Sequence, residues 1–198
     1  MTRPAGNESG GTPRREEPAL DALMPGDPGR EETVARMIRV DQAGEYGAAR
    51  IYAGQLAVLG RTTAAPALRH MADQERRHLD EFNRLMVERR VRPTLLQPLW
   101  HVAGFALGAA TALLGEKAAM ACTVAVEETI DEHYRRQAER LGEAEPKLKG
   151  AIEEFREDEI EHRDTALAHG AQQAPGYQPL TAAIKSASRL AIWLSERF

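Results

Sequence analysis

Apolar residues recur every three or four positions in four separate stretches of this chain, the spacing of one buried face of an α-helix. The first stripe reads Ile38, Asp41, Glu45, Ala48, Tyr52, Leu56, Leu59, and the second Leu68, Met71, Glu75, His78, Phe82, Leu85. The third reads Met120, Val124, Glu127, Ile130, Tyr134, Ala138, Leu141, and the fourth Leu148, Ile152, Phe155, Glu159, His162, Ala166. Gly60 and Pro66 bracket the first turn, Pro93 and Pro98 interrupt the chain after the second stripe, and Gly142 and Pro146 separate the last two. A further helix is predicted after Gly170, Pro175, Gly176 and Pro179, running to Leu190-Ala191-Ile192-Trp193-Leu194. No strand-like alternation is present, so the pattern predicts an all-α fold: a four-helix bundle with additional apolar and C-terminal helices.

Six polar residues stand on these apolar faces where they do not belong: Glu45, Glu75, His78, Glu127, Glu159 and His162. Burying one ionised carboxylate without a partner costs several kcal/mol, so about four of them would exceed the stability of a whole domain. Two divalent ions would cancel four carboxylate charges and leave the histidines neutral. The nearby acids Glu128, Glu132, Glu154 and Glu161 lie about 100° or more around their helices and read as solvated. The chain also repeats itself. A lone Glu is followed about thirty residues later by Glu-x-x-His, once as Glu45 with Glu75 and His78, once as Glu127 with Glu159 and His162, and a tyrosine (Tyr52, Tyr134) lies two turns after each lone Glu. This matches the known ligand pattern of ferritin-like carboxylate bundles, each hairpin supplying half of a two-metal site.

Four carboxylates with two imidazoles suit iron or manganese better than zinc or copper, and iron is the expectation. Cys122 is the single cysteine, which leaves no disulfide within the chain and reads as a small core residue. The spacing alone also accommodates an iron-oxidising or storage protein, a manganese catalase-like or peroxidase enzyme, or a non-catalytic binding scaffold that has lost oxygen chemistry.

The 198 residues suit one domain, and a net charge of −4 gives no reason to expect a nucleic-acid partner. Residues 1–30 are rich in Pro, Gly, Glu and Arg and read as a disordered tail, with residues 31–198 as the folded domain. The tail lacks the apolar run of a secretory signal, and its acids Glu8, Glu16, Glu17, Asp21 and Asp27 argue against a transit peptide. From Pro93 to Gly115, residues 93–115 hold twenty-three positions without a formal charge. Gln97, Pro98, His101 and Thr111 interrupt the segment, so a helix lying in the membrane interface or bordering a lipid-like substrate is favoured over a crossover helix buried in the core, with a membrane span last. Gly104-x-x-x-Gly108 offers a face for close helix packing; Trp100 and Phe105 would be interfacial anchors, joined by Trp193 and Phe198 of the last helix.

From Arg39 to the C-terminus the chain resembles the carboxylate-bridged di-iron demethoxyubiquinone hydroxylases of ubiquinone biosynthesis. The resemblance rests on RVDQAGEYGA from Arg39, IYAGQLAVLGR from Ile51, DQERRH from Asp73 and RPTLLQPLWHVAGFALGAATALLG from Arg92, then MACTVAVEETIDEHY from Met120, EDEIEHRD from Glu157 and LAIWLSERF at the end. It implies that Glu45, Glu75, His78, Glu127, Glu159 and His162 bind two iron ions. It also implies a monooxygenase that uses dioxygen to hydroxylate 2-polyprenyl-3-methyl-6-methoxy-1,4-benzoquinol. A bacterial member is implied, peripheral on the cytoplasmic side of the inner membrane, with room for a quinone-biosynthesis complex or a homo-oligomer. Tyr134 and then Tyr52 are the candidates for contact with the quinol ring. Asp41 and Asp131, one turn from Glu45 and Glu127, are candidates for orienting a ligating histidine through its free ring nitrogen.

Overall fold

The computed structural model describes residues 19, 20 and 22–198. It contains α1 (Arg30–Leu59), α2 (Ala65–Arg89), α3 (Gln97–Leu113), α4 (Glu116–Leu141), α5 (Pro146–Ala168) and α6 (Tyr177–Ser195), with a 3-10 turn at Ala171–Gln173. No strand occurs among the described residues. The helices form the expected ferritin-like bundle: α1 with α2 and α4 with α5 are two hairpins, facing each other so that α1 meets α4 and α2 meets α5.

Helix ends fall where the chain supplies the right chemistry. Pro stands in the first turn of α2, α3 and α5, where a backbone N–H has no intrahelical acceptor to lose. Gly142 closes α4 at φ 53°, and Gly115 opens it at φ 115°, a backbone that a side chain would strain.

Among the described residues two large apolar clusters fill the ends of the bundle, and a smaller third one joins Ile51, Cys122, Ala125 and Val126 to Ile184 of α6. Toward one end Leu59, Leu68, Met71, Met120 and Val124 pack with Tyr52, and toward the other Ile38, Phe82, Leu141, Leu148, Ile152 and Phe155 pack with Tyr134. The six stripe-breaking polar residues lie along the helices between these plugs, shut away from water by hydrocarbon on both sides. Of the expected tail, residues 1–18 and 21 lie outside the described residues. Ahead of α1, Leu20 is buried in the second cluster and its N–H donates to the Arg140 carbonyl at 3.0 Å.

The uncharged segment becomes α3, the crossover between the two hairpins, laid against α1. Its glycines let the backbones touch. A Cβ on Gly104 would sit 2.8 Å from the Gly47 carbonyl oxygen, one on Gly108 would collide with that of Ile51, and one on Gly54 would lie 2.7 Å from the Ala109 nitrogen. The opposite face of α3 remains outside: Leu99 is 52% exposed, Val102 65% and Leu113 75%. This is neither a buried core helix nor a span, since no helix among the described residues is long and apolar enough to cross a membrane. At one end α3 joins the C-terminus, where the Trp100 indole N–H donates to Ser195 Oγ at 3.0 Å and Thr94 Oγ1 to the Phe198 carbonyl at 2.6 Å.

Candidate metal centre

All six sequence-selected residues meet in the middle of the bundle, each at most 1% exposed. Their donor atoms form two groups of four, within 4.8 Å of one another in each: Glu45, Glu75, His78 and Glu159, then Glu75, Glu127, Glu159 and His162. Glu75 and Glu159, the glutamates of the two Glu-x-x-His turns, belong to both groups. The lone glutamates and the histidines belong to one each. This division follows from helix geometry, because residues three apart on one face present carboxylate and imidazole to the same side.

The remaining hydrogen bonds aim these atoms inward. Tyr52 Oη donates to Glu127 Oε1 at 2.6 Å and Tyr134 Oη donates to Glu45 Oε1, which leaves each lone glutamate with Oε2 free. His78 Nε2 faces Asp158 Oδ2 at 3.0 Å, and His162 Nε2 faces Gln74 Oε1 at 3.2 Å. Both acceptors fix the ring proton on Nε2 and turn Nδ1 toward the carboxylates. The result is a set of buried atoms without hydrogen-bond partners: Glu45 Oε2, Glu127 Oε2, both carboxylate oxygens of Glu75 and Glu159, and Nδ1 of His78 and His162. Native interiors satisfy their polar atoms, so this convergence of lone pairs fits a pair of cations. His78 Nδ1 lies 3.4 Å from Glu159 Oε1 and His162 Nδ1 3.2 Å from Glu75 Oε1, so a second proton on each ring is the alternative to a cation between them.

Side chains alone cannot keep four charges here. Burial, and then the charge on Glu159, push Glu75 and Glu127 well above their ordinary 4.5. Burial also opposes the charge on Glu159, but the facing His162 and His78 outweigh it and hold its carboxyl at about 2. For His78 burial disfavours the imidazolium, and the facing Glu159 and Glu45 overcome it, raising the ring to about 12. Protons thus offset the charge of the cluster, and a cation that entered it would have to expel them.

Other sequence expectations are redistributed. Asp41 does not reach either histidine of the cluster; it accepts from Gln137 Nε2 at 2.8 Å and lies 3.2 Å from His133 Nε2. Asp131 is turned outward to Arg156 at 2.6 Å. The orienting roles fall to Asp158 and Gln74, each immediately before a shared glutamate on the opposite hairpin. Their equivalence in the internal repeat was the one available signal. Glu128 and Glu132 pair with Lys185 and Arg135 at the surface, and Glu154 and Glu161 are exposed. Cys122 is buried, and burial raises its thiol to about 12, an inert core residue.

The chain is similar over most of its length to several named hydroxylases. The sequence is 54% identical to the 3-demethoxyubiquinol 3-hydroxylase of Rhodospirillum rubrum, with both chains covered in full. It is 58% identical to the human NADPH-dependent 3-demethoxyubiquinone 3-hydroxylase, mitochondrial, over 83% of this chain and 77% of that one. The 5-demethoxyubiquinone hydroxylase, mitochondrial, of Saccharomyces cerevisiae is 46% identical over 82% of this chain and 77% of its own length. The profile of the family described as Ubiquinone biosynthesis protein COQ7 matches residues 32–195, and the chain belongs to that family.

Proposed function

We propose that the chain is a di-iron monooxygenase, a 3-demethoxyubiquinol 3-hydroxylase acting in ubiquinone biosynthesis. The observation that carries this reading is the paired donor set with its unpartnered oxygens and Nδ1 atoms, in a chain 54% identical over its whole length to an enzyme of that name. One atom of dioxygen enters the ring C–H bond of the demethoxyubiquinol, and the other leaves as water, reduced by two electrons from an external two-electron donor and taking up two protons.

Glu75 and Glu159 would be shared between two iron ions, with Glu45 and His78 completing one set and Glu127 and His162 the other. Bound there, iron supplies the activation of dioxygen that no side chain of the site can perform. The protein supplies the rest. Tyr52 and Tyr134 hold the lone glutamates with one oxygen presented inward, and we assign them this role in place of ring contact, since their hydroxyls are already spent on Glu127 and Glu45. Asp158 and Gln74 hold the two imidazoles in the ligating tautomer. The apolar plugs exclude water, which protects reactive oxygen from side reactions. With every ligand at most 1% exposed, the quinol ring reaches the cluster only when a side chain or helix over it is displaced.

The substrate's polyprenyl tail would run along the apolar outer faces of α3 and α6, where Leu99, Val102, Leu113, Leu190, Trp193 and Phe198 meet solvent. That surface supports peripheral membrane association, on the cytoplasmic side of a bacterial inner membrane.

The test is anaerobic reconstitution with ferrous iron, followed by labelled dioxygen and a short-chain demethoxyubiquinol, with the product read by mass. Gain of one labelled oxygen atom is expected. Glu159→Ala and His162→Ala should lose both hydroxylation and iron. A protein that binds and oxidises two irons yet never hydroxylates the quinol, in lipid as in detergent, would point instead to iron oxidation.

A further inference from the structure

The two halves of the centre are related by an internal repeat that holds for every ligand and fails in charge. Gln55 Nε2 donates to the Ala119 carbonyl at 3.1 Å and to Thr123 Oγ1 at 3.4 Å, and its counterpart Gln137 Nε2 donates to Asp41 Oδ1 at 2.8 Å and lies 2.9 Å from His133 Nε2. Thr123 and Asp41 each stand four residues before a lone glutamate. In the same way Gln74 serves His162 and Asp158 serves His78. The Gln contact to the residue four before the lone glutamate, and the acceptor on each ring Nε2, thus recur in both halves, while two neutral groups on one side are replaced by two carboxylates on the other. Both replacements fall on the side of Glu45 and His78.

An imidazole N–H that donates to a carboxylate makes the opposite ring nitrogen a stronger electron donor than one that donates to an amide. The amide partner, Gln74, is itself buried, so it stays neutral in a dry surrounding. Arg77 comes within 3.8 Å of Asp158, but its side chain is 65% exposed and solvent screens it. Asp41 divides its contacts between His133 and Gln137, so Asp158, in direct contact with the ring, is the larger influence. The ligand carboxylates themselves are balanced: each group has one glutamate of its own and the same two shared.

We infer that the two metal positions are unequal. The group built on His78 takes the first divalent ion and holds it at least tenfold more tightly than the group built on His162, with Asp158 and Gln74 as the positioning residues that set the difference. This rests on the six residues being metal ligands, as proposed above. Removal of such an outer partner typically costs 10–100-fold in metal affinity, so a whole charge placed on one histidine and not the other separates the steps by about that factor.

The experiment is anaerobic calorimetric titration of the metal-free full-length protein with cobalt(II), paired with manganese(II) loading followed by electron spin resonance to tell single ions from coupled pairs. Two resolved steps are expected, with isolated ions at one equivalent. Asp158→Asn, which keeps the shape and an acceptor, should weaken the tight step about tenfold and spare the weak one. Gln74→Glu should tighten the weak step, and the double variant should narrow or reverse the gap. Equal steps in the native protein, or a tight step unmoved by Asp158→Asn, overturn the inference while leaving the metal centre intact. Absence of any bound metal overturns both. Two unequal steps in a protein that fails to hydroxylate would uphold the inference and remove the proposed reaction.

Discussion

The hydroxyl of Tyr52, on α1, donates to Oε1 of Glu127 on α4 at 2.6 Å, and Tyr134 on α4 returns the same contact to Glu45 on α1. Each hairpin thus holds the lone glutamate of the other. Tyr52→Phe keeps the ring that packs against Met71 and Met120 but strips Glu127 of its donor in a dry site. A buried acceptor left without a partner costs about 1–3 kcal/mol. Urea denaturation of the metal-free variant should show a loss of that size; an unchanged midpoint would mean the contact contributes nothing.

Glycine should act in opposite directions at two helical positions. Gly108→Ala places a methyl group against the Ile51 carbonyl, which must push α3 off α1, at a cost of about 1–3 kcal/mol or more. Gly150→Ala in α5 meets nothing within 4 Å and should stabilise by about 0.5–1 kcal/mol through helix propensity. The two variants, compared by thermal unfolding, separate close packing from a general intolerance of substitution.

Asp41 carries a pH signature. Burial, opposed by His133 and Gln137, raises its carboxyl from 3.8 to about 6. Below pH 3.8 the folded and unfolded chains both hold this proton. Between the two values only the folded chain keeps it, so stability falls as pH rises, and above about 6 the penalty is complete. That rise is equivalent to about 3 kcal/mol. Metal-free Asp41→Asn should therefore be more stable than the native chain at pH 8, by up to about that amount, with the gain gone near pH 3.5.

On the outer face of α3, Leu99→Asp combined with Val102→Asp should sharply reduce sedimentation with anionic lipid vesicles. Both side chains point to solvent, so metal content and helicity should not change. Vesicle binding equal to the native protein would remove these residues from the membrane surface. Loss of the metal centre would show instead that they support the fold.

What the sequence made legible was whatever depends on one helix at a time. Register put Glu45, Glu75, His78, Glu127, Glu159 and His162 on inward faces, and charge arithmetic demanded cations between them; the geometry brings all six together. The partners of the histidines were missed because they cross between helices. Asp41 shares the stripe with Glu45, yet the offset of α1 against α4 delivers it to His133 and Gln137. Asp158 sits one residue off the stripe, at the flank that meets α2, and so reaches His78. Helix offset depends on the bulk of many packed side chains at once, and no periodicity within a single stretch encodes it. The apolar segment was similarly half visible: its composition marked it as unlike the other helices, while the seating of Gly104 and Gly108 on Gly47 and Ile51 of α1 depends on a partner helix that the segment itself does not name.

That seating has a mechanical consequence. Side chains between packed helices act as a compliant layer that can rearrange while backbones hold still, but at Gly54, Gly104 and Gly108 the backbones of α1 and α3 meet without one. The carbonyl under Gly108 belongs to Ile51, and the next residue along α1 is Tyr52, whose hydroxyl grips Glu127. A load on the outside of α3 is passed rigidly to the backbone that steers this carboxylate, so the greasy exterior and the sealed interior of the molecule are two ends of one stiff linkage.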